Sequence, residues 1–162
     1  MIEIIAISEA HVESFHRALD IVARERRYLA FLEAPPLEAM RSFVLDMIGQ
    51  GQPQFVALAG SDVVGWCDIR RHPRPIYAHA GILGMGLLPP FRGRGLGTRL
   101  IQTTLDAAKA AGMTRVELSV RENNLNALAL YKRVGFAVEG LSRNAVRIDG
   151  AYENVIQMAV LI

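Results

Sequence analysis

Apolar and polar positions along the chain follow two rhythms. Val12, Phe15, Leu19 and Val22 recur at three- and four-residue spacing, which predicts a helix over residues 9–24. Ser8 is placed to cap it, with Glu9 in the favourable first turn. Leu100, Ile101, Leu105 and Ala108 repeat that rhythm over residues 96–111, and Gly112 closes the helix. Two further helices are predicted: Leu37 to Ile48, ended by Gly49-Gln50-Gly51, and a last one capped by Asn123 or Asn124 that stops at Gly135. The second rhythm has period two. Arg115–Arg121 sets Val116, Leu118 and Val120 against Arg115, Glu117 and Ser119, which predicts a strand with two unlike faces. Other β-type runs are Ile2–Ile7, Gln54–Ala59, Val63–Arg70, about Tyr77 to Leu88, Phe136–Ile148 and Tyr152–Leu161. Gly60-Ser61-Asp62 and Asp149-Gly150 turn two of the pairs into hairpins.

The predicted order is βααβββαβαββ. With hairpins in the middle and at the end, it implies a mixed α/β sheet rather than a doubly wound one. There is no repeat, linker or low-complexity tract, and 162 residues fit one domain spanning 1–162. Hydrophobic residues at 51% and charged ones at 21% exclude a disordered chain. The single Cys67 excludes an internal disulfide framework and fits a reducing compartment. A net charge of +2 is too mild to imply nucleic-acid binding. The apolar start is too short for a signal-peptide core, and no stretch reaches the ~18 apolar residues of a spanning helix. The expectation is a soluble, cytoplasmic chain with no nucleic-acid or membrane partner.

The chemistry concentrates in Leu88-Pro89-Pro90-Phe91-Arg92-Gly93-Arg94-Gly95-Leu96-Gly97-Thr98, between a strand and a helix start. Glycines at alternate positions let the backbone turn sharply and approach a ligand closely. The free amides and dipole of the helix N-terminus favour an anion, and Arg92 and Arg94 add two full charges, so the segment reads as a phosphate or pyrophosphate cradle. No lysine precedes Thr98 as a P-loop requires. The last glycine falls one place early for a dinucleotide fingerprint.

Arg92-x-x-Gly95-x-Gly97, followed one helix and one strand later by Asn124-x-x-Ala127-x-x-Leu130-Tyr131-x-x-x-Gly135-Phe136, resembles the two signature blocks of the GCN5-related N-acetyltransferases (GNAT). The likeness covers about residues 2 to 160, the first 60 only in element pattern. It implies a GNAT-like mixed, mostly antiparallel sheet flanked by about four helices, with acetyl-CoA as co-substrate and no metal. The tail through Tyr152 looks most like bacterial members acting on amino acids or protein N-termini. By the same resemblance, Arg92, Gly93, Arg94, Gly95, Leu96, Gly97 and Thr98 hold the pyrophosphate, and the backbone at Met85, Leu87 and Leu88 pairs with the pantetheine arm. Asn124 bonds that arm, with Ala127 and Tyr131 beside it, although Asn124 also reads as a helix cap. Tyr131 protonates the departing thiolate.

An alkyl amine with a pKa of about 10.4 must lose a proton before it attacks. Gly81-Ile82-Leu83-Gly84-Met85-Gly86 lacks the acid often found there in the family. The candidates are His79, Glu117 and Glu122, with a water held by Ser119. Cys67 lies among apolar residues without a neighbouring His, which argues for direct transfer over an acyl-cysteine route. The expected activity is acetyl transfer to a primary amine of a small molecule or a peptide N-terminus in a ternary complex. The alternative is a catalytically weak acyl-CoA-binding sensor. Asp68, Tyr77, Asp149, Tyr152 and the Tyr28–Glu33 region are candidates for the acceptor pocket. A homodimer through an added strand or a sheet edge is common in the family.

Overall fold

In the computed structural model, which describes residues 1–162, seven strands join one sheet in the order β1-β2-β3-β4-β5-β7-β6. The strands are β1 (Ile2–Ala6), β2 (Gln54–Ala59), β3 (Asp62–Arg71), β4 (Ala80–Leu87), β5 (Arg115–Arg121), β6 (Ala137–Ile148) and β7 (Ala151–Leu161). The helices are α1 (Val12–Arg24), α2 (Leu37–Gly49), α3 (Leu96–Ala110) and α4 (Leu125–Val134). The order is the one the hydrophobic rhythm predicts, with a 3-10 turn at Glu9–His11 leading into α1 and two more at Pro75–Tyr77 and Pro89–Phe91.

Helices cover both faces of the sheet. One core, built around Leu100, Ile101, Val116 and Met158, packs α3 and α4 against one face. The other, with Val12, Phe15, Val44 and Trp66, packs α1 and α2 against the opposite face. Val63 and Val64 serve the two cores by ordinary alternation, and a register shift at Ala57/Leu58 resets that alternation, so that Val64 and Trp66, two residues apart, face opposite cores. Beyond it β3 alternates regularly. Cys67 and Ile69 face α3, while Trp66 packs on Phe15 of α1 with ring centroids 5.4 Å apart. Burying a side chain of this size contributes about 1.5–3 kcal/mol.

One predicted boundary moves. Pairing in β4 begins at Ala80, not near Tyr77, because Pro75–Tyr77 form a 3-10 turn. Pro73 and Pro75 cannot donate to a ladder, so the chain loops out until it is past them. Arg71 fastens this loop by donating to the carbonyls of Ala78 and of Ala111, the latter at 2.6 Å.

Candidate active site

All neighbouring strands run antiparallel except β4 and β5. That parallel pair has only three registered positions, Ala80↔Arg115, Gly81↔Val116 and Ile82↔Glu117, after which the strands diverge. A cleft therefore opens in the middle of the sheet beyond Ile82. The β3–β4 ladder sets which backbone groups face it. His72 donates to Ala80 and Leu88 donates to Val64, so the even-numbered residues of β4 turn their amides and carbonyls to β3. Those of Leu83, Met85 and Leu87 therefore point into the divergence. The Leu87 carbonyl also accepts from Arg92 Nε at 3.0 Å, which uses one of its two lone pairs. At Leu88 the amide goes to Val64 and the carbonyl accepts from the Phe91 amide, so the carbonyl's second lone pair is what remains for a ligand there.

The glycine turn lies at the open end of the cleft. Gly93 and Gly95 have φ of +74° and +76°, with open space where a Cβ would stand, so backbone conformation is what requires glycine there. At Gly97 the reason differs: a Cβ would come within 3.0 Å of Leu130 Cδ2, and the missing side chain lets α3 and α4 approach. The amides of Gly93, Arg94, Gly95, Leu96, Gly97 and Thr98 have no acceptor within the protein. Six consecutive free donors at a helix N-terminus form an anion cradle. Its charge is smaller than expected. Arg92 pairs with Glu25 through both nitrogens, at 2.9 and 2.6 Å, and lies over the Tyr28 ring at 4.8 Å. Only Arg94, stacked 5.6 Å from the centroid of Phe91 and forming no ion pair, brings a free charge.

Tyr131, on α4, reaches the cleft from the α3/α4 face. It is 9% exposed, packs on Phe136 at 5.8 Å, and its hydroxyl has no protein partner. Burial and the nearby Cys67 push its pKa up, so the phenol keeps its proton. Tyr131 shares a buried cluster with Cys67, which pairs in register with Met85, itself packed against that cluster. Cys67 itself is fully buried, and burial raises its pKa so far that it remains a thiol. Asn124 caps α4, its Oδ1 accepting from the Ala127 amide at 3.3 Å, and Ala127 is partly buried against the core.

The proposed proton acceptors separate. His79 is exposed in the turn before β4, at the closed end of the cleft, where its carbonyl receives the amides of Thr114 and Arg115. Glu117 stands at the last registered pair but is tied down, with Oε1 2.8 Å from His72 Nε2 and Oε2 2.9 Å from Arg115 Nε. Burial pushes its carboxyl up, yet those two hydrogen bonds outweigh it and hold the pKa below the usual range. Ser119, exposed on β5 two residues beyond the last registered pair, donates to Gln157 Oε1 on β7 at 2.6 Å, leaving lone pairs that a water can use. Glu122 is exposed just beyond β5.

Two residues carry more weight than the sequence suggested. Arg121, 6% exposed, donates to the carbonyls of Arg26 (2.9 Å) and Leu29 (2.6 Å) and pairs with Glu153, anchoring the α1–α2 connection on β5. Asp68 lies in β3 opposite Gly84, on the α1/α2 face, where nothing within the protein hydrogen-bonds its carboxyl. Burial raises its pKa to about 7, against a small opposing pull from Arg70.

Comparison with known proteins agrees with this geometry. Residues 15–136 match the model of the acetyltransferase (GNAT) family. The chain is 39% identical over 95 residues to N-alpha-acetyltransferase RimI of Mycobacterium tuberculosis, covering 59% of this chain and 58% of that relative. It is 27% identical to the L-amino acid N-acetyltransferase AaaT of Escherichia coli over 96% of both chains. Among solved structures, a GNAT-family acetyltransferase of Streptococcus pneumoniae superposes with a TM-score of 0.94 at 23% identity over the full length of both. YncA of Salmonella typhimurium, solved with its cofactor acetyl-CoA, superposes at 0.93 with 14% identity, covering 99% of this chain and 94% of that one.

Proposed function

The chain belongs to the acetyltransferase (GNAT) family, and on that footing we propose that it moves the acetyl group of acetyl-CoA directly onto a primary amine of a small molecule or a peptide N-terminus. The observation that carries this reading is the divergence of β4 from β5 after Ile82/Glu117, with the free amides of residues 93–98 at its mouth. A pyrophosphate fits donors of that number and direction. The amides of Met85 and Leu87, turned into the cleft, suit an amide-bearing arm laid along β4 as an added strand. Acetyl-CoA supplies an activated thioester. Tyr131, protonated and without a protein partner, is placed to donate to the sulfur as negative charge develops there. Asn124 retains its Nδ2 for the arm while its Oδ1 caps α4. The inert Cys67 thiol supports direct transfer over an acyl-enzyme. Alignment of amine and thioester supplies most of the rate.

The relatives support an amine on an amino acid or protein N-terminus as acceptor, because one is named for L-amino acids and one for N-alpha-acetylation. The test is release of free thiol from acetyl-CoA with a panel of amino acids, polyamines and short peptides, each product confirmed by its acetyl mass shift. At least one amine is expected to turn over. Tight acetyl-CoA binding with no thiol released by any amine defeats the reading.

A further inference from the structure

We propose that the Asp68 carboxylate takes the proton from the acceptor amine, filling from β3 the role for which β4 has no acid. The proposal rests on the acetyl-transfer reading above. Asp68 and Cys67 are neighbours on β3 and point to opposite faces of the sheet, paired with Gly84 and Met85 of β4. Tyr131 approaches the cleft on the Cys67 side. Asp68 therefore stands at the same level of the cleft on the other face, the one bordered by α1, α2 and the connection between them. A thioester lying along β4 at Met85 has a hydroxyl below it and a carboxylate above.

Gly84 makes the approach open. Asp68 Oδ1 lies 3.6 Å from the point where a Gly84 Cβ would stand, ordinary contact distance, so the carboxylate lies over the β4 backbone with no Gly84 side chain beside it. The isolation of this carboxylate is the second observation. Partly buried acids elsewhere are paired: Glu25 with Arg92, Glu117 with Arg115 and His72, Glu153 with Arg121, and Asp20 with Arg24 and the Ala34 amide. Asp68 has no such partner, and its oxygens are not sealed from solvent. An unpaired, half-buried carboxylate costs stability, and acids kept in that state cluster at functional sites. The groups facing it are few. Beside it on β2 is Gln54, whose amide donates to the Val44 carbonyl. β4 offers Ile82, Gly84 and Gly86, α1 and α2 turn apolar residues to the sheet, and Arg70 on β3 is the charge that acts on it. Glu117, on β5 across the cleft, is held by His72 and Arg115, and Glu122 is exposed beyond the end of that strand.

Asp68 takes one proton from the substrate ammonium. The freed nitrogen lone pair forms the C–N bond as the C–S bond breaks, with the electron pair leaving on sulfur. The second nitrogen-bound proton balances the thiolate through the Tyr131 hydroxyl, and Asp68 returns its proton to water.

The test compares wild type, Asp68→Asn and Asp68→Glu with the fastest amine of the panel. Wild-type kcat/KM is expected to rise with pH through a limb near 7. In Asp68→Asn that limb disappears and kcat falls about 10²- to 10⁴-fold, while the Kd of acetyl-CoA by calorimetry stays within about threefold. Asp68→Glu restores part of kcat and the limb. In the free wild-type protein, carboxyl-13C NMR is expected to show Asp68 titrating near pH 7. If Asp68→Asn keeps kcat and the pH limb, or changes only KM, the assignment is overturned while the acetyl-transfer reading stands. If wild type turns over no amine, both fail together.

Discussion

Arg92 and Glu25 form a two-pronged ion pair across 67 residues, joining the glycine turn to the residue that follows α1. Arg92 also donates to the Leu87 carbonyl at the end of β4. One side chain thus holds three elements at the mouth of the cleft, and its charge is spent on Glu25. The turn's two arginines should separate in experiment. Arg92→Ala leaves Glu25 partly buried and unpaired and is expected to cost about 1–3 kcal/mol of stability. Arg94→Ala, exposed and outside any ion pair, should leave the melting temperature unchanged and weaken acetyl-CoA binding several-fold, more so at low salt. Thermal denaturation and calorimetry on both variants check this, and equal losses of stability would contradict it.

Gly95 is the cap residue of α3 and holds φ of +76°. An alanine there has room but not the conformation, which costs about 1–2 kcal/mol. Relaxing the strain would turn the following amides away from their common focus. Gly95→Ala is therefore expected to lose both stability and at least tenfold in acetyl-CoA affinity, whereas Gly140→Ala, with open space and no positive φ, should lose neither. Denaturant melts and titration of the two variants decide it.

Removing the Tyr131 hydroxyl breaks no hydrogen bond within the protein, so Tyr131→Phe should fold with stability within about 0.5 kcal/mol of wild type. If the hydroxyl acts on the leaving sulfur, kcat for thiol release falls about 10²-fold or more and acetyl-CoA affinity hardly moves. A variant with wild-type kcat would reduce Tyr131 to a packing residue beside Phe136.

Periodicity was enough to place most of the helices and strands, because each of those buries a face whose spacing is written locally, whereas β6, with no residue buried, was bounded by Gly135 and Asp149-Gly150. The start of β4 was legible only to within three residues, since prolines at 73 and 75 displaced pairing past the apolar Ile76 and Tyr77. The glycine turn was legible because its chemistry is contiguous. What it lacked was partners: nothing near Arg92 in the chain announces Glu25, and nothing near Glu117 announces His72, 45 residues away. Whether a charge is free or committed is a property of topology. Asp68 was legible only as a candidate for the acceptor pocket, a carboxylate in the middle of a strand of mostly apolar residues. Its significance came from two facts the sequence does not carry: that Gly84 lies opposite, and that no cation reaches it.

The raised pKa of Asp68 also bears on stability, with a definite sign. In the unfolded chain the carboxyl titrates near 3.8, and in the folded protein near 7, so between those values the folded state holds the extra proton. Stability therefore falls as pH rises through this window, and the cost is fully present above pH 7. Asp68→Asn removes the titration. The variant is expected to match wild type near pH 4 and to exceed it at pH 8. Because the oxygens keep some contact with solvent, the gain is about 1–2 kcal/mol rather than the full linkage value. Urea unfolding at the two pH values measures the difference directly. A variant less stable than wild type at pH 8 would mean that Asp68 has a partner that holds it in its charged form, and would remove the reason for regarding it as a carboxylate kept at a cost for the sake of the reaction.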